Sequence, residues 1–466
     1  MLVYLFFAML PFGTFAVVPA QMSGGLSLLG APMTALLIAI REFGLQPDGS
    51  RRLAALAFGC RPGRLLVCYW SVAALVTAFA PRFFQGQFEV IPMSATVLRP
   101  TPLAPTLQNF SQLAYLTVSV LAVFAFASVF QRPVERSHLT MGLLLSGLVT
   151  IATGVVDLLS TVVPIQRYLQ AFKTAQYRLL DDAILADGTR RVVGLMPEAS
   201  AFGGLSITLF AMLYFTRQSF DSPSLRRRSG WTTAGLGVMA IISTSSAGYV
   251  ALAVVVVLLL LDWFSRTAGL TKGAMVRRGM RREMIVMLTV LAAVAVALML
   301  APSVFDPAVE RVQDSVFAKT QTESYVERTA WTATSLEAAV SSRFVGVGIG
   351  STRASNVLVA VLASVGVPGL LLYCGFLAHL FRSPVRSGAP QDAVIVRALR
   401  WSYPPVLVLG LLAGTSADFG VFDGLRWGVL LGALAPSRAL AQRVAVPALR
   451  PAVSDWFRSA ADGRVL

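Results

Sequence analysis

The sequence predicts an all-α membrane protein, a polytopic bundle of about twelve transmembrane helices. Hydrophobic residues make up 56% of the 466 positions and charged residues only 13%, which is about half the charged fraction of a soluble domain. The apolar residues also fall in blocks long enough to cross a bilayer, for which about 20 residues are needed. Together these observations exclude a large soluble core and favour one integral membrane domain over residues 1–466.

Hydropathy and loop composition predict where the spans lie. We expect them near residues 2–20, 25–40, 65–81, 112–130, 139–163, 199–216, 231–245, 247–262, 284–302, 354–381, 402–416 and 424–441. The apolar stretch between Arg228 and Arg266 is interrupted by the sequence STSSAG at 243–248. One long helix would put the basic segment after Arg266 on the wrong side, so we expect two short spans with a turn at STSSAG.

The positions of the charged residues indicate how the bundle is oriented. The formal net charge is +16, and the excess lies in alternate loops, including residues 51–64, 226–228 and 277–282, while the other loops are nearly neutral. Basic residues in short loops mark the cytoplasmic side of a membrane protein. Both termini are therefore expected in the cytoplasm and the long loops outside, and nucleic-acid binding is the weaker explanation of the charge.

Cysteine and histidine residues indicate neither a disulfide framework nor a metal site. Cys60, Cys68 and Cys374 lie in inner loops or within spans, without metal-ligand spacing. The two histidines, His138 and His379, are expected to be structural. The first segment lacks a basic n-region and a cleavage site, so we expect it to be a retained span.

Two outer segments are longer than the usual connections of a helix bundle. They cover residues 164–198 and 302–353. In the second, a proline typical of a first helical turn precedes valines at helical spacing, which predicts an amphipathic helix from Pro307 to about Val340. A third outer segment, residues 82–111, is rich in Pro and Thr and is expected to be extended.

The most specific sequence pattern lies between residues 327 and 377. Arg328 and Trp331 precede the run GVGIG at 346–350, and the apolar segment that follows contains GVPG at 366–369. Glycines permit tight turns and close backbone approach. The spacing G-x-G-x-G without a preceding strand does not fit a nucleotide-binding fingerprint.

These motifs resemble the O-antigen ligase and polymerase family of bacterial envelope glycosyltransferases. The matching features are the arginine and tryptophan before GVGIG, the glycines, Asn356 and GVPG. Upstream, RVVGLMPEAS at 191–200 is similar to the Arg…Glu-Pro-Ser segment of exopolysaccharide polymerases, with Ala199 where Pro is usual. STSSAG matches the family's Ser-rich turn, although the arginine often found there is absent. The resemblance covers residues 190–380 closely and the remainder by topology only, and it implies a GT-C-like bundle.

The resemblance also implies a reaction and its partners. The donor would be a glycan on undecaprenyl diphosphate at the periplasmic face of the bacterial inner membrane, and the acceptor a sugar hydroxyl. A flippase and a chain-length regulator would be protein partners, and neither a cofactor nor a metal is implied. Ligases usually carry a histidine immediately before the asparagine that Asn356 matches, and here Ser355 stands there. This favours a Wzy-type polymerase over a ligase.

Candidate site residues come from the matched motifs and from their chemistry. Guanidinium groups stay charged and grip phosphate oxygens with paired hydrogen bonds, and a carboxylate can accept a proton from a hydroxyl. We expect Arg191, Glu198 and Arg328 to be catalytic. The residues expected to bind the diphosphate or the glycan are Arg190, Arg343, Arg353 and Asn356. Each arginine could instead form a loop ion pair or contact a lipid headgroup.

Other polar residues have simpler interpretations. Asp418, Asp423 and Arg426 are expected to pair with one another. Asp181 and Asp182 lack a third ligand at useful spacing and are expected to be solvated rather than to bind a metal.

Functions other than polymerase and ligase remain open. Transporters and lipid flippases often have a similar number of spans, but their folds show repeated halves, and no repeat is evident here. Separation of Arg191, Glu198 and Arg328, or their exposure to lipid, would favour transport. Two further functions compatible with the sequence are a non-catalytic scaffold of an envelope complex and a peptidoglycan polymerase of the SEDS type.

Overall fold

The computed structural model describes residues 1–19, 22, 27–93, 99–132, 135–175, 190–220, 222–269, 279–285, 288–289, 292, 323–384 and 390–434. Within them the chain is mostly helical. Its helices are α1 (Leu2–Met9), α2 (Gly30–Ala39), α3 (Gly49–Phe58), α4 (Arg61–Phe83), α5 (Leu107–Phe130), α6 (Arg136–Leu159), α7 (Gln166–Gln170), α8 (Ala199–Thr216), α9 (Pro223–Ile242), α10 (Ser246–Thr267), α11 (Glu323–Ser341), α12 (Val357–Arg382), α13 (Pro390–Trp401), α14 (Tyr403–Ala413) and α15 (Gly420–Leu434). A π-helix, Ile40–Leu45, continues α2.

Two short antiparallel hairpins accompany the helices. β1 (Ala16–Val18) pairs with β2 (Leu28–Leu29), and β3 (Glu89–Val90) pairs with β4 (Thr101–Pro102). The second hairpin lies in the segment that the sequence predicts to be extended.

Seven helical segments of the described chain are long and apolar enough to cross a membrane. They are Arg61–Phe83, Leu107–Phe130, Arg136–Leu159, Ala199–Ser219, Ser246–Thr267, Val357–Arg382 and Gln391–Ala413. The prediction of a helical, multi-pass membrane protein is confirmed at this level. Four more predicted spans overlap α1, α2, α9 and α15, which are shorter or carry more charge, and the span near 284–302 lies mostly outside the described residues, so the number of about twelve spans stays a prediction.

The first predicted span, residues 2–20, is wrong in length. α1 ends at Met9, two positions before Pro11, and the chain then forms β1. Proline has no N–H group with which to continue the helical hydrogen bonds. The turn predicted at STSSAG is confirmed, since α9 ends at Ile242 and α10 begins at Ser246. The helix predicted from Pro307 is described only as α11, from Glu323, and its earlier part lies outside the described residues.

Contacts between helix ends divide the connections of the described chain between two ends of the bundle. At one end, Arg132 after α5 pairs with Glu42 after α2, and Arg136 at the start of α6 pairs with Asp392 of α13. We call this the arginine-rich end. The opposite end, which we call the loop end, contains residues 84–93, 99–106, 160–175, 190–198, 243–245 and 342–356. This separation agrees with the predicted segregation of charge, and the orientation in the membrane stays a prediction.

The arginine-rich end is built around one buried carboxylate, that of Glu42, which is 0% exposed. Arg132 donates a hydrogen bond to it, Arg41 donates one at 3.0 Å, and Ser128 donates one at 2.9 Å. Arg52 lies 3.8 Å away. Burial acts to raise the pKa of Glu42, but the hydrogen bonds from Arg132 and Ser128 outweigh it and hold the pKa below its usual value. The carboxylate therefore joins α2, α3 and α5 as an anion.

Replacing Glu42 by Gln is expected to destabilise the protein by about 3 kcal/mol or more, because three arginines lose their shared counter-charge in a buried site. Since the folded pKa of Glu42 lies below the unfolded value of about 4.3, its contribution is present above that pH and is lost as the pH falls through the folded pKa. Thermal unfolding of the purified protein in detergent, between pH 7 and pH 3, measures both effects.

The matched control is Asp48→Asn. Asp48 pairs with Arg51 at 3.3 Å, but the two side chains are 67% and 86% exposed, so the change should cost less than about 1 kcal/mol. Equal unfolding temperatures for Glu42→Gln and Asp48→Asn would contradict the structural role of Glu42.

At the loop end, the run GVGIG packs against a break in α12. The helix is interrupted at Gly366, which has a φ of 74°. The amides of Val347 and Gly348 donate to the carbonyls of Ala363 and Ser364 at 2.8 and 3.0 Å. The break would otherwise leave these carbonyls unpaired within an apolar bundle. The glycine run thus completes the hydrogen bonding of the broken helix.

The glycines allow the two backbones to approach closely. A Cβ atom on Gly346 would lie 2.7 Å from the Gly366 amide nitrogen, and one on Gly350 would lie 2.5 Å from the carbonyl oxygen of Gln108. The side chain of Asn109 donates to the carbonyl of Ile349 at 2.8 Å and fixes the run to the start of α5. These contacts fix the connection between α11 and α12 against the start of α5 at the loop end.

Gly366→Ala is expected to destabilise the protein by about 1–3 kcal/mol, because the new Cβ would meet the Phe344 carbonyl oxygen at 2.4 Å at a positive φ. Gly375→Ala in the same helix is the control. Its nearest neighbour is a Leu65 methyl at 3.9 Å, so that variant should be neutral or slightly more stable. Unfolding temperatures in detergent compare the two, and a neutral Gly366→Ala would contradict the importance of the break.

Candidate functional site

Two segments that are distant in sequence meet at the loop end and bring the predicted catalytic residues together. Arg191 lies in the stretch before α8, Glu198 at the N-cap position of α8, and Arg328 on the first turns of α11. The Nη2 atom of Arg328 lies 3.9 Å from the Oε1 atom of Glu198. Arg191 interacts electrostatically with both of these residues. The sequence motifs that suggested them therefore converge in space.

The turn between α9 and α10 holds the guanidinium of Arg191. Its Nε atom donates to the hydroxyl of Thr244 at 3.1 Å, and Nη2 donates to the Thr244 carbonyl at 2.9 Å. Thr244 has a φ of 49°, a conformation uncommon for residues other than glycine. Ser245 then caps α10 by accepting a hydrogen bond from the Gly248 amide at 3.2 Å. The Ser-rich turn thus supplies the acceptors that orient Arg191.

Glu198 is the carboxylate that balances the two arginines. It begins α8, where the positive end of the helix dipole favours an anion, and it accepts a hydrogen bond from the Ser200 hydroxyl. The side chains of Arg328 and Glu198 are 25% and 32% exposed, so both are accessible. At 3.9 Å their contact is an ion pair without a close hydrogen bond, and no acceptor in the described part of the chain engages the side-chain donors of Arg328 more closely.

The electrostatics favour an anionic ligand beside this group. Burial lowers the pKa of the Arg191 guanidinium, Glu198 raises it, and Arg328 lowers it further. Burial and the positive charge of Arg328 both disfavour the charged form of Arg191, and the carboxylate of Glu198 favours it. Because an arginine stays protonated in proteins, the group holds two positive charges against one negative charge. An added anion would relieve this imbalance.

A cavity of about 420 Å³ lies next to Arg328. One wall is polar and belongs to α11 and the start of α12; it consists of Tyr325, Arg328, Thr329, Thr332, Ser355 and Asn356. The other wall is largely apolar and comes from α10 and α14; it consists of Ser246, Ala247, Val250, Leu411 and Leu412. The cavity thus offers cationic and hydroxyl groups on one side and hydrocarbon on the other.

The predicted binding residues are distributed differently from the catalytic ones. Asn356 lines the cavity and also caps α12, accepting from the Leu358 and Val359 amides at 2.9 and 3.3 Å. Arg353 stacks over Trp331 at 4.9 Å and donates to the Pro92 carbonyl at 3.1 Å, which ties α11 to the β3–β4 segment.

Two further predicted binding arginines, like Arg353, lie outside the cavity lining. Arg190 pairs with Asp157 at 3.3 Å and donates to the Ser160 hydroxyl at 3.2 Å. Arg343 is exposed beyond the far end of α11, more than about 20 Å along the helix from Arg328 at the usual rise per residue. For both residues, a local structural or surface role fits their positions better than ligand binding.

Several cavity residues were not identified from the sequence. Tyr325, Thr329 and Thr332 share a face of α11 with Arg328, and their spacing of three and four residues was a readable signal. Thr244 lies within STSSAG, but its role as the acceptor for Arg191 depends on a left-handed turn that the sequence does not specify. Apart from hydropathy, nothing in the sequence marked Leu411 and Leu412 of α14 as cavity residues.

The remaining candidates have simple surroundings. Arg426 pairs with Asp423 as predicted and is fully buried, whereas Asp418 accepts from the Gly420 amide at 3.1 Å. His138 and Tyr4 share a hydrogen bond, with 2.5 Å between the ring Nδ1 atom and the hydroxyl oxygen. Asp181 and Asp182 lie outside the described residues, and the described part of the chain contains no group of three side chains that could hold a metal ion.

No family model matches this chain, and no curated protein matches it in sequence.

Glu198→Gln is expected to lower the unfolding temperature at low salt, by the equivalent of about 1 kcal/mol, because Arg191 and Arg328 lose the carboxylate between them. Added pyrophosphate should restore more stability to this variant than to the wild type, since it supplies the missing negative charge. Thermal unfolding with and without the anion measures both effects.

Glu337→Gln is the control on the same helix as Arg328. Glu337 is exposed, so neither its unfolding temperature nor its response to pyrophosphate should change. An identical response of the two variants would contradict a specific anion site at Glu198.

Proposed function

We propose that this protein is a membrane glycosyltransferase that polymerises undecaprenyl-diphosphate-linked oligosaccharide repeat units at the periplasmic face of the bacterial inner membrane. The observation that carries the proposal is the convergence of Arg191, Glu198 and Arg328 beside a cavity with one polar and one apolar wall. A lipid-linked sugar donor has the matching parts, namely a diphosphate, a sugar and a hydrocarbon chain.

The two arginines suit the diphosphate. In the reaction, the bond between the anomeric carbon and the diphosphate oxygen breaks, and the departing group gains negative charge. Arg328 lines the cavity and makes no close side-chain hydrogen bond to the other described residues, and Arg191 adds a guanidinium that the Thr244 contacts hold in place. Fixed cationic groups at a site of developing charge lower the barrier without reorganising during the reaction. In this proposal arginines, not a metal ion, neutralise the leaving group.

Glu198 suits the acceptor. The acceptor's hydroxyl oxygen forms the new glycosidic bond to the anomeric carbon and loses its proton, which the Glu198 carboxylate takes as general base. Glu198 does not line the cavity itself, but its exposure and its 3.9 Å distance from Arg328, which does, support its access to a hydroxyl bound at that end of the cavity. The threonine and serine side chains on the polar wall offer hydrogen bonds to neighbouring sugar hydroxyls.

The apolar wall suits a polyprenyl chain. Val250 of α10 and Leu412 of α14 are 36% and 42% exposed, so this wall reaches the outer surface of the bundle. A lipid-linked donor would lie with its hydrocarbon chain along this wall and its diphosphate at Arg328.

Transport and ligation account less well for these positions. Transport would be favoured by separation of the three residues or by their exposure to lipid, and instead they lie together at the loop end. A ligase would use the same leaving-group chemistry. Ser355, at the position where ligases have histidine, donates to the Leu412 carbonyl at 3.3 Å and has no basic nitrogen with which to activate an acceptor. Ser355 therefore favours the polymerase.

The proposal is tested by the length of surface polysaccharide after deletion of the gene and its restoration as wild type or as Arg328→Ala. We expect single repeat units in the deletion strain, long chains with the wild type, and at least about a 100-fold loss of long chains with Arg328→Ala at normal abundance. Arg82→Ala is the control, because Arg82 is exposed at the end of α4, donates to the carbonyl of Ala78 and does not line the cavity.

Each other outcome has a distinct meaning. Long polymer that accumulates on its lipid carrier without being transferred would identify a ligase. Unchanged polymer in the deletion strain would overturn the glycosyltransferase proposal and favour transport. Full activity of Arg328→Ala would overturn the role of this arginine.

A further inference from the structure

A second buried carboxylate, that of Asp157, lies directly beneath the segment that carries Arg191. Asp157 belongs to the last turn of α6 and is 4% exposed. Its Oδ2 atom accepts hydrogen bonds from the backbone amides of Val193 and Gly194 at 2.7 and 3.0 Å. Its Oδ1 atom lies 3.3 Å from Nη2 of Arg190. One side chain thus binds three parts of the 190–194 segment.

These contacts satisfy a charge that would otherwise be costly to bury. The segment bends onto Asp157 at Gly194, which has a φ of 59° and lies so close to Phe202 that a Cβ there would be 2.9 Å from its ring. Arg190 is held a second time by the Ser160 hydroxyl at 3.2 Å. The last turn of α6 therefore provides a fixed platform for residues on both sides of Arg191.

As a result, both the backbone and the guanidinium group of Arg191 are held in place. Its backbone lies between Arg190 and Val193, which Asp157 binds, and its guanidinium is held by Thr244 on the other side. A long side chain fastened at only one end samples many rotamers and loses entropy when a ligand orders it. A side chain fastened at both ends presents its remaining donors in one orientation.

We infer that Asp157 is a positioning residue for Arg191, which sets the place of that guanidinium at the diphosphate site; this inference rests on the proposed function. Asp157 does not line the cavity and is almost fully buried, so it touches no substrate. It acts through the backbone of residues 190–194. Loss of its charge should weaken diphosphate binding without removing any group that contacts the diphosphate.

The first arm of the test is independent of any substrate. Hydrogen–deuterium exchange of the purified full chain is followed in peptides that cover residues 190–198. Asp157→Asn, which removes the charge and keeps the side-chain shape, should accelerate exchange there by about tenfold, because exchange follows local opening. Asp392→Asn is the matched control, since Asp392 is also a buried carboxylate paired with an arginine, at the arginine-rich end.

The second arm measures the dissociation constant for undecaprenyl diphosphate in nanodiscs. Asp157→Asn and Arg191→Ala should each weaken binding by about tenfold, as expected for a charge-assisted hydrogen bond. The double variant should bind no more weakly than Arg191→Ala alone, because Asp157 acts only through Arg191. Asp157→Glu, which keeps the charge but misplaces it by one methylene group, gives a second variant if Asp157→Asn folds poorly.

The outcomes separate the inference from the proposed function. Unchanged exchange in Asp157→Asn overturns the inference, as does faster exchange with unchanged binding, which would make Asp157 purely structural. Additive losses in the double variant also overturn it. A wild type that fails to bind the probe overturns the proposed function, and the exchange arm then decides alone whether Asp157 orders the Arg191 segment. Faster exchange with weaker, non-additive binding supports both.

Discussion

Polar groups between apolar helices must find their partners within the protein, and the structure of this molecule depends on that constraint. At the arginine-rich end, Glu42 neutralises arginines from three elements while its own carboxylate is fully buried. At the loop end, the carbonyls freed by the break in α12 are paired with amides of the glycine run. At each end, polar groups that water cannot reach are paired with other groups of the protein.

The same constraint assembles the candidate site. Asp157 can be buried because the 190–194 segment supplies its hydrogen bonds, and the half-buried guanidinium of Arg191 is held because the Thr244 turn supplies acceptors. Arg328 and Glu198 are held less firmly, since their ion pair at 3.9 Å is not a close hydrogen bond. The hydrogen-bonded residues therefore fix the geometry, and the loosely paired ones are left to meet a ligand. This division suits the charged, lipid-linked substrate that we propose.

Individual elements show what could be predicted before the fold was known. The apolar blocks predicted the seven membrane-length helices, and the turn predicted at STSSAG lies between α9 and α10. The first span was predicted too long, because hydropathy does not register that Pro11 ends a helix. Arg191, Glu198 and Arg328 were chosen from motifs and do lie together. Arg190, chosen for its charge beside Arg191, instead pairs with Asp157, a residue that no motif had marked.

The sequence by itself determined the class of the protein and the separation of its charges, because hydropathy and charge act over short stretches of chain and need no knowledge of distant contacts. Only the tertiary structure decided which polar residues share a site. Asp157, Arg191, Thr244 and Arg328 come from four separate segments, and their meeting depends on how α6, α8, α10 and α11 pack. The partner of a buried charge is set by three-dimensional distance, which a one-dimensional pattern does not contain.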